Sequence, residues 1–297
     1  MDGKILPLEK AKVSVLDHGF LYGDSVYETL RTVSGYPFQM KGHMDRLFHS
    51  AEGLQLSIPT SKKRISAEIL KTAMAYWKKF EKTDLYIRVI VSRGFGDIGF
   101  DLSLCKQATI IIIMKAYRPT PLKLYKTGIT MALVQPLRNH PRAINPNIKS
   151  GNYLNNLLAY LQAIKHKAQD AIMQNREGYL TEGTTNNFFL IKNQTVLTPS
   201  LGSGILKGLT RSLLIETAKI HHIPVLETKI KPEALLSADE CFITSTLKAI
   251  LPVTRCVVDG KTIPIGTGKP GPLTLHLMDL FKTEVQKNLQ EEYCLDS

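Results

Sequence analysis

Lys149-Ser150-Gly151-Asn152-Tyr153-Leu154-Asn155-Asn156 closes a long loop and opens a helix. The loop, residues 135–150, holds Pro136, Pro141 and Pro146. A connection of that length inside a compact domain is uncommon unless it has a task. The helix, residues 153–167, carries Leu154, Leu157, Leu158, Leu161 and Ile164 at helical spacing. A lysine at such a junction can project into a cleft, where desolvation or a neighbouring cation exposes an amine nucleophile for Schiff-base chemistry. Taken alone, Lys149 reads more plainly as a solvated loop lysine.

Outward from that junction, short strands alternate with single helices. Upstream, strands are expected at residues 25–33, 85–92 and 108–115, with a shorter one at Val13-Ser14-Val15-Leu16. A helix is expected at 43–54, where Met44, Leu47, Phe48 and Ala51 share one side, and another at 67–80 after Ser66 as its N-cap. Pro119 and Pro121 mark residues 118–128 as an interdomain linker. Downstream, strands are expected at 129–134, 171–175, 187–192 and 196–198, the last two joined by a turn at Lys192-Asn193-Gln194. Helices follow at 210–221 and 271–291. The pattern predicts an α/β (α+β) fold in two domains, a small one over 1–117 and a larger one over 129–297.

The chain has 297 residues, 43% of them hydrophobic and 22% charged, enough for a sizeable core. No apolar run is long enough for a bilayer, and the first residues lack a secretory pattern, so a cytoplasmic enzyme without a membrane partner is expected. Cys105, Cys241, Cys256 and Cys294 are too scattered for a zinc site or a disulfide framework, and the histidines show no metal-ligand spacing. The formal charge of +12 invites a nucleic-acid reading. Its clusters, such as Lys62-Lys63-Arg64, sit on amphipathic helical stretches and lack a recognition motif, so no nucleic-acid partner is expected. Gly94-Phe95-Gly96-Asp97-Ile98-Gly99 precedes a strand instead of opening a helix, which excludes a dinucleotide loop.

Several segments could hold an anion. Leu206-Lys207-Gly208-Leu209-Thr210-Arg211 puts a glycine and a threonine at a helix start, where unpaired N–H groups favour phosphate. Thr244-Ser245-Thr246 ends an apolar strand in hydroxyls, and Arg46 could grip a phosphate in bidentate fashion. Glu182, in a polar cluster before a strand, could face a pyridine nitrogen and keep it protonated. Tyr86 and Arg88 lie two apart on a strand and share a face, a pair suited to an anionic substrate. Each has a plain structural alternative: an N-cap threonine, a surface arginine, a turn carboxylate, an alternating half-exposed strand.

Taken in order, Asp17-His18-Gly19-Phe20-Leu21-Tyr22-Gly23-Asp24, His43-Met44-Asp45-Arg46-Leu47, the Lys149 segment, Thr181-Glu182-Gly183, Gly204-Ile205-Leu206-Lys207-Gly208-Leu209-Thr210-Arg211 and Gly268-Lys269-Pro270-Gly271-Pro272 resemble the fold-type IV pyridoxal-phosphate enzymes, the class IV aminotransferases. The resemblance covers residues 16–277. It implies two α/β domains with pyridoxal 5'-phosphate between them, in a homodimer. It also implies that Lys149 is the Schiff-base lysine, Glu182 the pyridine-nitrogen partner and Tyr153 the ligand of the ring oxygen. Arg46, Leu209, Thr210 and Thr246 correspond to the phosphate cup, and Leu206 packs on the ring. Tyr22, Tyr27, Thr29, Tyr86, Arg88 and Leu247 are the expected substrate contacts, with Tyr22 serving the neighbouring copy. Tyr86-Ile87-Arg88 and the closing Gly-Lys-Pro-Gly-Pro resemble branched-chain aminotransferases, which move an L-amino group to a 2-oxo acid such as 2-oxoglutarate by ping-pong. Tyr27-Glu28-Thr29 stands where those enzymes carry Phe-Glu-Gly, and Thr185-Asn186-Asn187 where they carry Gly-Asp-Asn. D-amino-acid aminotransferase and aminodeoxychorismate lyase therefore remain the alternatives.

Overall fold

A computed structural model describes residues 1–294. The chain divides into two compact units, and the division is not a single cut. Met1–Arg118 forms the first unit together with Ile148–Asn152 and residues 291–294. Pro119–Asn147 and Tyr153–Gln290 form the second.

The first unit contains α1 (His18–Tyr22), β1 (Ser25–Val33), β2 (Tyr36–Pro37), α2 (Met40–Gly53), α3 (Lys62–Lys79), β3 (Leu85–Ser92) and β4 (Thr109–Ala116). Its strands run antiparallel in the order β2-β1-β3-β4. Alternation sorts the side chains. Val26 and Leu30 of β1, with Leu85, Ile87, Val89 and Val91 of β3, are buried in one cluster with Met44 and Leu47 of α2 and Ile65 and Ile69 of α3. Each such side chain, fully withdrawn from water, stabilises the unit by roughly 1.5–3 kcal/mol. The opposite face carries Tyr27, Thr29, Tyr86 and Arg88.

Two expectations fail here. The helix expected from residue 67 begins at Lys62, because Ser61, not Ser66, caps it by accepting the Arg64 N–H at 3.2 Å. Lys62-Lys63-Arg64 are good helix formers, and starting there keeps Ile65, Ile69 and Ala73 on the buried face. Val13-Ser14-Val15-Leu16 forms no strand; it finds no ladder partner, and Val15 is 71% exposed.

The second unit contains α4 (Leu122–Thr127), β5 (Ile129–Leu133), α5 (Leu154–Lys165), β6 (Asp170–Ile172), β7 (Asn187–Lys192), β8 (Thr195–Pro199), α6 (Leu209–Ile220), β9 (Val225–Thr228), α7 (Ala234–Ser237), β10 (Glu240–Ser245), β11 (Ala249–Val258) and β12 (Lys261–Pro264). Then α8 (Pro272–Tyr293) runs toward the end of the chain. The stretch expected as linker thus contains a helix, α4. The sheet order is β6-β5-β11-β10-β7-β8-β9, with β12 paired to β11. Strand β11 pairs antiparallel with β10 near its start and parallel with β5 from Val253 on, across a register shift between Val253 and Arg255. The β7–β8 hairpin turns on Asn193 and Gln194, both left-handed at φ 46° and 60°, the conformation a tight two-residue hairpin needs.

The leucines of α5 do not face the core. Ala159 and Ala163 are fully buried, whereas Leu154, Leu157, Leu158, Leu161 and Ile164 are 47–62% exposed. Among the described residues no helix is long and apolar enough to cross a membrane.

Candidate active site

Lys149 lies in the short segment that returns to the first unit, and its backbone is stitched to the start of β1 and to α2. Its N–H donates to Ser50 Oγ at 3.0 Å, and its carbonyl accepts the Tyr27 N–H at 3.0 Å. Gly151 N–H donates to the Ser25 carbonyl at 2.7 Å. A Cβ on Gly151 would stand 2.1 Å from Ser25 Oγ, so any larger residue would have to displace that hydroxyl. The lysine Nζ then lies 3.4 Å from Tyr27 Oη and 4.5 Å from the centre of that ring. The Arg88 guanidinium stands 3.9 Å from the same ring centre. Thr29 lies directly opposite Arg88 in the β1–β3 ladder, and Tyr86 lies opposite Arg31. The register thus brings Lys149, Tyr27 and Arg88 together, with Thr29 beside Arg88.

Arg46 belongs to the helix-covered side of β1. Its Nε donates to Glu28 Oε1 at 2.6 Å and its Nη2 to Oε2 at 2.8 Å. His43, one turn earlier on α2, shares a hydrogen bond of 2.7 Å between its Nδ1 and Oε2. Glu28 and His43 are fully buried. Burial alone would raise the Glu28 carboxyl, but the Arg46 charge and hydrogen bonds, with those of His43, outweigh it and hold it down to about 2. Burial holds His43 below its ordinary value, so its ring is neutral near pH 7. Tyr22, on α1, accepts the Gly99 N–H at 3.1 Å and packs edge-on to His18. Its partners keep it on the loop at 94–100, where Phe95, Ile98 and Phe100 are strongly exposed.

The second unit presents its own set. Glu182 is buried; its Oε1 accepts Arg138 Nε at 3.0 Å, and its Oε2 accepts the Leu206 N–H at 3.0 Å and Asn187 Nδ2 at 3.2 Å. Asn187 Nδ2 also donates to the Leu206 carbonyl at 2.9 Å, which ties Leu206 to Glu182 twice over. Helix α6 starts after Gly208, and no side chain caps its first turn, which carries Leu209 and Thr210. That leaves its N-terminal N–H groups and dipole suited to an anion. A Cβ on Gly208 would meet Asn187 Oδ1 at 2.0 Å. At the end of β10, Thr244 Oγ1 is buried and has no hydrogen-bond partner among the described residues, and Thr246 and Leu247 follow it. Tyr153 is the residue before α5. The lysine amine in the first unit and, in the second, an uncapped helix start, an orphaned hydroxyl and a carboxylate beside Leu206 are each groups of the kind that a phosphorylated pyridine aldehyde uses.

Sequence reasoning missed Arg138, Asn187, Ser50 and the roles of Glu28 and His43. Arg138 lies in the proline-bearing loop whose length was already the signal. Buried Asp170 was missed too; it accepts Thr184 Oγ1 at 2.6 Å and the Thr184 N–H at 3.2 Å, fixing the loop between Glu182 and β7. A cavity of about 660 Å³ in the first unit, lined by Ile5, Leu8, Ile65, Tyr76, Phe80 and Ile112 among others, contains none of the expected site residues.

The sequence model of the family described as "Amino-transferase class IV" matches residues 25–256. A Methanocaldococcus jannaschii protein provisionally named a branched-chain-amino-acid aminotransferase is 38% identical over 282 residues, 95% of this chain and 94% of that one. The aminodeoxychorismate lyase of Bacillus subtilis is 30% identical over 98% of this chain and 96% of its own length. The crystal structure of a branched-chain aminotransferase from Thermoproteus uzoniensis with norvaline superposes with a TM-score of 0.87 at 30% identity, covering 98% of this chain and 95% of the other. Similarity this even, carried across nearly the full length of each relative and across the site segments, settles the matter: the chain belongs to the class IV aminotransferases, the pyridoxal-phosphate-dependent transaminases of the two-domain fold-type IV.

Proposed function

We propose that this protein moves the amino group of an L-amino acid, in the first place a branched-chain one, to a 2-oxo acid such as 2-oxoglutarate by a ping-pong mechanism. The observation that carries the reading is Lys149, whose amine is held 3.4 Å from Tyr27 Oη while Arg88 stacks on the same ring. An amine and a guanidinium beside one aromatic ring suit a substrate that is an acid as well as an amine.

When bound, the cofactor supplies the electron sink that stabilises negative charge at the substrate Cα. Lys149 would carry the cofactor and then, as a free amine, take and return the Cα proton. Arg46, Leu209, Thr210 and Thr246 would hold the phosphate. Glu182, paired with Arg138, would hold the pyridine nitrogen protonated, while Tyr153 would bind the ring oxygen and Leu206 pack on the ring. Arg88, with Tyr86, Tyr27, Thr29 and Leu247, would bind the substrate. Tyr22 would serve the site of a second copy. A homodimer is supported by the apolar stripe of α5, five aliphatic side chains left 47–62% exposed, a surface that a water-facing helix does not ordinarily keep.

One observation favours a second reading, the aminodeoxychorismate lyase. Thr29 lies opposite Arg88 in the ladder and puts a hydroxyl on the face where a branched side chain would rest. The experiment is the half-reaction: holoprotein mixed separately with L-leucine and D-alanine, with the 2-oxo acid product quantified. One equivalent of product from L-leucine alone supports the reading. Product from D-alanine alone moves the enzyme to the D-amino-acid group. Pyruvate release from aminodeoxychorismate without any 2-oxo acid acceptor establishes the lyase.

A further inference from the structure

We infer that Glu28 is a positioning residue for the phosphate-binding arginine: the bidentate Glu28–Arg46 pair, clamped by His43, fixes the guanidinium in the orientation that receives the cofactor phosphate. The inference rests on the reading of Arg46 as a phosphate ligand.

The first argument is placement. Glu28 occupies an inward position of β1 between Val26 and Leu30, both fully buried. Its strand neighbours on that face, Val26 and Leu30, are apolar and the site is closed to water, so an ion there is costly to desolvate. A buried ion pair seldom adds stability over a well-packed apolar pair of the same volume. Its presence in the core of the small unit therefore points to a task other than folding.

The second argument is geometry. Both carboxylate oxygens are committed, Oε1 to Arg46 Nε and Oε2 to Arg46 Nη2 and His43 Nδ1, at 2.6–2.8 Å. His43 and Arg46 are three apart on α2, so one helical turn grips the carboxylate from two directions. A fork-on-fork pair fixes the guanidinium plane as well as its position. The Glu28 side chain is fully buried while that of Arg46 is 11% exposed, so the arginine is the member of the pair that reaches outward.

The third argument is the remaining histidine nitrogen. His43 Nε2 is buried with no hydrogen-bond partner among the described residues. A neutral ring with Nδ1–H donating to Glu28 leaves that lone pair unused. The protein tolerates the loss, which fits a histidine retained for its single bond to the carboxylate. Because Glu28 is ionised, the pair carries no net charge. Arg46 would then select phosphate by directed N–H groups more than by bulk charge.

The test compares pyridoxal 5'-phosphate with pyridoxal on the cofactor-free full chain, in the wild type, Glu28→Gln, Arg46→Met and the double variant. Trp77 fluorescence checks that each is folded, and Glu28→Asp, which keeps the charge but shortens the reach, substitutes if Glu28→Gln does not fold. The preference for the phosphorylated compound should fall about tenfold or more in Glu28→Gln, the scale at which loss of an orienting partner acts. Pyridoxal affinity should hardly move, and the double variant should be no worse than Arg46→Met. Inorganic phosphate should compete less well in the same variants. If Arg46→Met keeps the full preference, the phosphate reading of Arg46 fails. If Arg46→Met loses it while Glu28→Gln keeps it, or binds the phosphate more tightly, the positioning role is overturned and Glu28 is structural or charge-attenuating.

Discussion

Acidification should destabilise the first unit through Glu28, and the size of the effect follows from its surroundings. The carboxyl titrates near 4.5 in an unfolded chain and is held at about 2 in the fold. Between those values the unfolded chain takes up a proton that the folded one refuses, so stability rises with pH across the window. The stabilisation is fully present above pH 4.5 and is lost as pH falls toward 2. At about 1.4 kcal/mol per unit, the difference corresponds to roughly 3 kcal/mol, of which about 2 kcal/mol disappears between pH 5 and pH 3. Trp77 is the single tryptophan and lies on α3 of the first unit, with its Nε1–H donating to the Thr83 carbonyl at 2.9 Å. Urea unfolding followed by Trp77 fluorescence therefore reports on the unit that contains Glu28. Glu28→Gln, measured at the same pH values, carries every other carboxyl and subtracts their contribution. The wild type should lose about 2 kcal/mol more than the variant over this interval. Parallel pH dependences in the two proteins would refute the reasoning, because Glu28 would then not be held ionised by Arg46.

Further outcomes are expected. His43, held neutral by burial, leaves the unfolded chain to take up a proton as pH drops through about 6.5, so stability should already decline there; His43→Gln should flatten the change in melting temperature between pH 7 and pH 5.5. Arg138→Met should slow the amino-acid half-reaction by on the order of tenfold or more, with cofactor affinity reduced much less, because Glu182 loses the cation that orients it; rapid-mixing rates set against a cofactor titration check this. Gly208→Ala must push aside Asn187, which bonds both Glu182 and Leu206, and should weaken cofactor binding severalfold or more, whereas Gly202→Ala, whose new Cβ would meet only Ser200 Oγ at 3.9 Å, should leave it unchanged in the same titration.

How much of this was legible in the sequence depended on whether the signal was local. β1, β3 and β7 have the boundaries expected, because alternation or an apolar run bounded by turn residues is written into consecutive residues. Helix starts were less legible: Ser61 and Ser66 are both plausible caps, and only the burial of Ile65 chooses between them. Val13-Ser14-Val15-Leu16 has strand composition and no ladder partner, a fact that lies elsewhere in the chain. The α5 stripe was readable as a helix face, but periodicity does not say what the face meets. In the candidate site, the lysine, the helix start at Gly208 and the carboxylate at 182 were each weak signals alone and became legible through the ordered resemblance of their segments to the family. Arg138, Asn187, Ser50 and the buried Glu28–His43–Arg46 cluster did not. Their partners stand from 5 positions away, for Asn187 and Glu182, to 99, for Ser50 and Lys149, and which of them meet follows from tertiary packing.

Lys149 should be the residue that carries the cofactor. Holoprotein treated with borohydride, digested and examined by mass spectrometry should carry a reduced pyridoxyl group on the peptide containing Lys149. Lys149→Ala, folded by the Trp77 criterion, should carry none there and should not turn over. A label on another lysine, or full turnover by Lys149→Ala, would contradict the account.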